Sequence, residues 1–153
     1  MELETITVSM IPSLLPAIQK NFDWAKKMTG ANRTWDSDEV IKVIESAIYD
    51  GIGLVAYDAD DIAGVVVFRK SRLTFNRFFS GVEVVFHVDS DITARKKISV
   101  IRLFLEGIDQ WAKDNEIQQT IIFTMRDNPL VKRLMGNGYV ENETAFIKTI
   151  GGN

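Results

Sequence analysis

VEVVFHV (residues 82–88), DSDITARKK (89–97), ISVIRLFLEGIDQWAKDN (98–115) and TIIFTM (120–125) are the consecutive segments on which the fold turns. In the first, Val82, Val84 and Phe86 alternate with Glu83, Val85 and His87, the period of two expected of a β-strand. On that alternation Glu83 and His87 share a face. In the third, Ile98, Ile101, Phe104, Leu105, Ile108, Trp111 and Ala112 recur at helical spacing. A long helix is therefore predicted from about Ile92 or Lys97 to Asn115, with a second strand over Thr120 to Met125. A strand, a crossover helix and a returning strand form a parallel pair joined by a right-handed connection.

Upstream, Leu54 to Tyr57 and Ile62 to Phe68 are two apolar, β-rich runs around the acidic turn Asp58-Ala59-Asp60-Asp61, the pattern of a hairpin. Gly64 inside the second run predicts a bulge or a close backbone approach. Val40, Val43, Ile44, Ala47 and Ile48 make the apolar stripe of a helix. Asp36 is its N-cap and Glu39 completes a capping box, with Trp35 and Val40 as a hydrophobic staple. Gly51 fits the position just past its end. Before it, Leu14, Leu15, Ile18, Phe22 and Ala25 predict a first helix, with Pro12 and Pro16 near its start. Gly30 and Asn32 punctuate the loop that follows. Thr5 to Ser9 reads as a strand. Downstream, Asn128-Pro129 opens a short helix that Gly136 and Gly138 end, and Phe146 to Ile150 reads as a final strand. Hairpins beside one parallel crossover mean a mixed, mostly antiparallel sheet.

Composition narrows the function classes. The chain has 153 residues, without repeat or linker, and residues 1–153 are read as one domain. Apolar residues make up 46% and charged residues 25%, as in ordinary globular proteins. There is no cysteine, which excludes disulfides, thiolate metal sites and a cysteine nucleophile. With His87 as the one histidine, no metal site is expected. Net charge is -3 and no basic block is longer than Arg95-Lys96-Lys97, so no broad nucleic-acid binding is expected. The acidic N-terminus is unlike a signal peptide, and no run approaches the roughly 20 apolar residues of a membrane span. A cytoplasmic protein that does not enter membranes is the expectation.

In element order, over nearly the whole length, the chain resembles the GNAT acetyltransferases. Ile62-Ala63-Gly64 after an acidic turn is similar to the family's "Ile-x-Gly" strand. The strand from Val82 to Val88, a basic turn and a long helix resemble its acetyl-CoA-binding core. Asn128, with Gly138-Tyr139 ten residues on, resembles its "Asn … Gly-Phe" segment. The resemblance implies an α/β chain of the acyl-CoA N-acyltransferase fold, its central mixed sheet flanked by about four helices.

The resemblance also implies a site. Backbone amides at Phe86, His87 and Val88 would polarise the thioester carbonyl, and Arg95, Lys96, Lys97, Ile98 and Ser99 would bind the pyrophosphate at a helix N-terminus. Asn128 would contact the cofactor, although an Asn before Pro equally suits a helix cap. Glu83 would be the general base, with the alternative of an exposed strand residue. His87, whose unperturbed pKa is about 6.5, would share the proton work or serve the fold. Two features depart from the family pattern. The glycines expected two residues apart after Arg95 are replaced by Ile98 and Val100, or in the next register by Ser99 and Ile101. Glycine there removes the Cβ between backbone and phosphate, whereas Arg95, Lys96 and Lys97 offer point charges instead. The family's acid tyrosine is replaced by Leu134 and Met135. Trp24, Trp35, Phe75, Phe78 and Phe79 would wall the acceptor site or pack as core.

The function implied is an acetyl-CoA-dependent N-acetyltransferase acting by direct attack of a primary amine in a ternary complex. The acceptor would be a small molecule or a protein, and the C-terminal strand would offer the contact for a homodimer. Such chains also occur in phage genomes. The alternative is therefore a GNAT-fold binding or assembly protein without catalysis, a phage virion or host-interaction component.

Overall fold

The computed structural model describes residues 1–29, 34–72, 78–124 and 128–141. Within them the order is β1 (Glu2–Thr5), a 3-10 turn (Val8–Met10), α1 (Ile11–Thr29), α2 (Ser37–Asp50), β2 (Ile52–Asp58), β3 (Asp61–Arg72), β4 (Phe79–Val88), α3 (Ala94–Asp114), β5 (Ile117–Ile121) and α4 (Leu130–Gly136). The strands form one sheet in the order β1-β2-β3-β4-β5. All neighbours are antiparallel except β4 and β5, which are parallel, as the crossover requires.

Two apolar layers hold the sheet. On one face Leu54, Ala56, Val66, Phe68 and Phe86 meet Val100, Phe104, Leu105, Ile108 and Trp111 of α3 and Leu134 of α4. On the other, Val55, Val65, Val67 and Val85 meet Ile11, Leu14 and Ile18 of α1 and Ile44 and Ala47 of α2. Burial on both faces explains why Val65-Val66-Val67-Phe68 is an unbroken apolar run rather than an alternating one. Each such large side chain contributes roughly 1.5–3 kcal/mol on burial. A substitution such as Phe104→Ala, at a fully buried position, would therefore strike both the α3 layer and the strands it covers.

Several expectations hold with local changes. Asp36 caps α2, its Oδ1 accepting from the Asp38 and Glu39 N–H groups. Glu39 does not return the bond of a capping box; it pairs with Lys42 at 2.7 Å. Trp35 and Val40 each pack against the α1–α2 layer. Val43, placed in the buried stripe by sequence, is 52% exposed. The first strand is Glu2–Thr5, and the residues after it turn into a 3-10 helix that leads into α1, so Pro12 and Pro16 both lie within α1. Gly51 ends α2 without the left-handed conformation (φ -101). It is glycine because a Cβ would stand 2.0 Å from Phe68 O and 2.4 Å from Ala47 O. Gly64 makes the expected close approach, its missing Cβ leaving room for His87 O. Gly30, Asn32, Phe75, Met125 and the strand expected at Phe146 to Ile150, with the dimer contact assigned to it, lie outside the described residues.

Candidate active site

The site is built on a departure from strand regularity. Val67 of β3 faces Val85 of β4, yet the next residue, Phe68, faces Glu83, so Val84 is the extra residue of a β-bulge. Val84 and Val85 both turn to the α1–α2 layer. Glu83, opposite Phe68, turns to the α3 layer, as does Phe86. His87, opposite Val65, turns to the α1–α2 layer. Glu83 and His87 therefore lie on opposite faces of β4, not on one face as strict alternation implies. One bulged residue between them inverts the count.

At Glu83 the sheet also opens. Pairing of β4 with β5 ends at Val82 and Ile121. Beyond that point β4 continues to Val88 without β5 beside it. The Glu83 carboxylate sits at the apex, where its Oε2 accepts a hydrogen bond from the Phe123 N–H at 2.7 Å. Burial pushes its pKa from 4.5 up to about 7, against the opposing pull of that bond. Next to Phe123, the Thr124 Oγ1 is buried without a hydrogen-bond partner among the described residues. His87 is buried on the other face, and burial lowers its pKa; Asp89 pulls it up and Lys20 pushes it further down. Its imidazole is neutral at neutral pH.

The open edge of β4 carries a defined set of backbone groups. The Asp89 N–H donates to Ala63 O on β3 at 2.9 Å. Antiparallel ladders alternate, so His87 turns its N–H and C=O to β3, while Phe86 and Val88 turn theirs to the opening. Of the three amides expected to act there, His87's is thus committed to the sheet. Asn21 of α1 reaches the opening and donates from Nδ2 to Phe86 O at 3.2 Å. Its neighbour Lys20 lies 3.4 Å from Asp89 and 4.0 Å from Asp91.

Beyond β4, α3 begins at Ala94 with Thr93 as N-cap, whose Oγ1 accepts from the Lys96 N–H at 3.4 Å. The helix therefore starts before the expected glycine positions. Ile98 lies in its second turn and is 41% exposed, Val100 is fully buried in the core, and Ser99 donates its hydroxyl to Arg95 O. The amides left free by helix geometry belong to Ala94 and Arg95, with Lys96's shared by Thr93. Lys96 is ion-paired with Asp58 at the end of β2, and Lys97 donates to Ser90 O at 2.7 Å. Arg95 is exposed beside them.

The remaining candidates lie away from the start of α3. Asn128 Oδ1 accepts from the Leu130 N–H at 2.9 Å, which opens α4. Tyr139 packs on the α3 layer and bonds through its hydroxyl to Thr120 at 2.8 Å. Leu134 is core and Met135 is exposed. Trp35 packs edge-on to Phe22, whereas Trp24, Phe78 and Phe79 are exposed. Sequence reasoning passed over Asn21, Lys20, Asp58 and Phe123. For Asn21 a signal was present: it falls at the helical spacing of Leu14, Ile18 and Ala25, a polar residue on an apolar stripe. Among the described residues no cluster of three metal-ligating side chains occurs, and no helix is long and apolar enough to cross a membrane.

No protein-family model matches the sequence, and no curated protein does. Solved structures do match. One, described as a probable acetyltransferase, superimposes with a TM-score of 0.73 at 14% identity, covering 100% of both chains. An aminoglycoside acetyltransferase from an uncultured soil metagenomic sample, in complex with sisomicin, gives 0.71 at 12% identity over 97% of this chain and 95% of the other. The ribosomal-protein-alanine N-acetyltransferase of Brucella melitensis biovar Abortus 2308 gives 0.68 at 10% identity over 98% and 100%. With its parted parallel strands, its bulge and the helix that follows them, the chain has the GNAT acetyltransferase fold.

Proposed function

We propose that the protein transfers an acetyl group from acetyl-CoA to a primary amine by direct attack in a ternary complex. The observation that carries this reading is Glu83, a carboxylate with a pKa near 7 placed where β4 and β5 part. A general base works best with a pKa near the ambient pH, and burial supplies that here. Glu83 takes a proton from the incoming ammonium, and the Phe123 N–H keeps the carboxylate aimed at the opening.

The residues present fit the acyl donor at one end better than at the other. At the acyl end, the outward N–H groups of Phe86 and Val88 offer the pairing an extended amide-bearing arm needs, and the first of them would polarise an acyl carbonyl. Acetyl-CoA would supply the activated acyl group and the sulfur leaving group. At the phosphate end, Arg95, Lys96 and Lys97 surround the start of α3, with Ile98 and Ser99 one turn in. Thr93, Asp58 and Ser90 already engage part of that set. Asn128 we assign to capping α4, where its side chain accepts from Leu130, and His87 to packing under α1, on the face of β4 opposite Glu83. That preoccupied phosphate end favours a second reading, a fold retained for binding or assembly without turnover.

Titration calorimetry with acetyl-CoA, using CoA and ATP as controls, separates the two. Acetyl transfer requires saturable binding that Arg95→Glu weakens. It also requires thiol release on adding an amine from a panel of an aminoglycoside, an alanine-led peptide and a lysine-bearing peptide. Glu83→Gln should then lower turnover by about 100-fold or more, the usual worth of a positioned base, while binding is kept. Absence of acetyl-CoA binding at millimolar concentration would overturn the enzymatic reading and favour the second.

A further inference from the structure

Asn21 stands out among the groups around the opening because it joins two otherwise separate parts of the site. It belongs to α1, one of the two helices on the far layer, yet its carboxamide leaves that layer and ends on Phe86 O, at the edge of β4 that no strand among the described residues pairs. A strand edge with no neighbour leaves its carbonyls without donors, and a half-buried one must find a partner. A side-chain N–H or O–H group satisfies it, and Asn offers two N–H groups together with a carbonyl oxygen. The residue it holds, Phe86, is also the one whose N–H faces the opening just beyond the bulge that aims Glu83. Lys20, the preceding residue, adds an exposed tie from α1 to Asp89, three residues further along the same segment.

We propose that Asn21 is a positioning residue for acetyl transfer: its carboxamide pins Phe86 from α1, so that the outward N–H of Phe86 is held against the acyl carbonyl. The proposal rests on the acetyl-transfer reading. Asn21 touches neither the acyl group nor Glu83; it acts through the backbone of Phe86. Loss of the tie leaves residue 86 on an edge that no strand among the described residues pairs, with its N–H no longer held to one direction. Preorganised donors owe their effect to not having to reorient during reaction, so the loss falls on turnover more than on affinity. Asn21→Asp tests the donor specifically. It keeps the shape of the side chain but sets a carboxylate oxygen against Phe86 O.

The experiment compares the wild-type protein with Asn21→Ala and Asn21→Asp in two measurements. One is turnover with the amine panel at saturating acetyl-CoA. The other is titration of acetyl-CoA followed by NMR on the Phe86 and Val88 amide resonances. The expected result is a turnover loss of about tenfold or more in Asn21→Ala and a larger one in Asn21→Asp, with the acetyl-CoA Kd changed by less than about threefold. The Phe86 amide should move on acetyl-CoA addition in the wild type and move less in both variants, while Val88 responds alike in all three. Turnover in Asn21→Ala within about twofold of wild type overturns the proposal, as does an equal loss in Kd and turnover. If the wild type shows neither transfer nor movement of the two amides, the acetyl-transfer reading itself fails. Asn21 is then only a structural tie, an outcome recognisable because all three proteins are silent.

Discussion

The Glu83 carboxylate is under two opposed influences, and their balance sets both its chemistry and its cost. Burial favours the protonated acid, and the Phe123 N–H favours the anion; burial prevails and the pKa rises from 4.5 to about 7. The folded state therefore retains a proton that the unfolded chain releases between those values. Stability associated with Glu83 is fully present below about pH 4.5 and declines as pH rises to about 7. The whole difference is worth roughly 3 kcal/mol. Glutamine keeps the acceptor oxygen for Phe123 and never ionises. Glu83→Gln should thus raise the Tm at about pH 8 and change it little at about pH 4.5, while turnover falls. Thermal melts at the two pH values check this, and an unchanged Tm at the higher pH would mean that the carboxylate carries no burial penalty. On the acetyl-transfer reading, wild-type kcat/KM should climb with pH toward a plateau, with a midpoint near 7, because the proposed base must be ionised to act. At this scale the sequence was informative about identity and silent about environment. Glu83 stood out as a carboxylate on the strand before the long helix, but nothing in its neighbours foretold that Phe123, 40 positions away, would grip it.

Elements were legible where one period ruled. The stripe of α3 and the Asp36 cap of α2 follow directly from spacing, because a helix buries one face and must satisfy its first amides. Strand β4 was legible as a strand but not in its facing. Val84 and Val85 are both valines, so a bulge between them leaves no mark in the apolar pattern, and counting by twos carries His87 to the wrong face. β1 was displaced because Ile6 and Val8 alternate like strand residues, although the chain there turns through a 3-10 helix into α1. Backbone conformation was hidden in the same way. Glu116, just after the C-cap of α3, has φ +57, the left-handed conformation usual for glycine. It also sets a negative charge at the negative end of the helix. Both penalties vanish in Glu116→Gly, at an exposed position with no side-chain packing to lose. A gain of about 1 kcal/mol, or roughly 2–4 °C in Tm for a chain of this size, is expected from thermal denaturation.

Across the whole molecule, β4 is the strand to which both helical layers are tied near the opening. α1 holds it through Asn21 and Lys20, and α3 covers Phe86 through Phe104, whose rings meet edge-on at 5.9 Å. The start of α3 is tied in turn to the β2–β3 turn through Lys96 and Asp58. That last pair bears directly on the proposed binding of acetyl-CoA. Lys96 lies in the first turn of α3, where a cation opposes the helix dipole, and Asp58 offsets it in the protein alone. A pyrophosphate at the same helix start must compete with Asp58 for Lys96 and meets the carboxylate's repulsion as well. Asp58→Asn removes both obstacles without altering the shape of the side chain. Acetyl-CoA should therefore bind several-fold more tightly to Asp58→Asn, by calorimetry at low salt, and the advantage should shrink as salt screens the exposed charges. Stability should fall by less than about 1 kcal/mol, since the pair is partly exposed to solvent. Equal affinity in the two proteins would mean that the phosphates do not approach Lys96. Weaker affinity in the variant would mean that Asp58 orders the helix start for its ligand instead of competing with it.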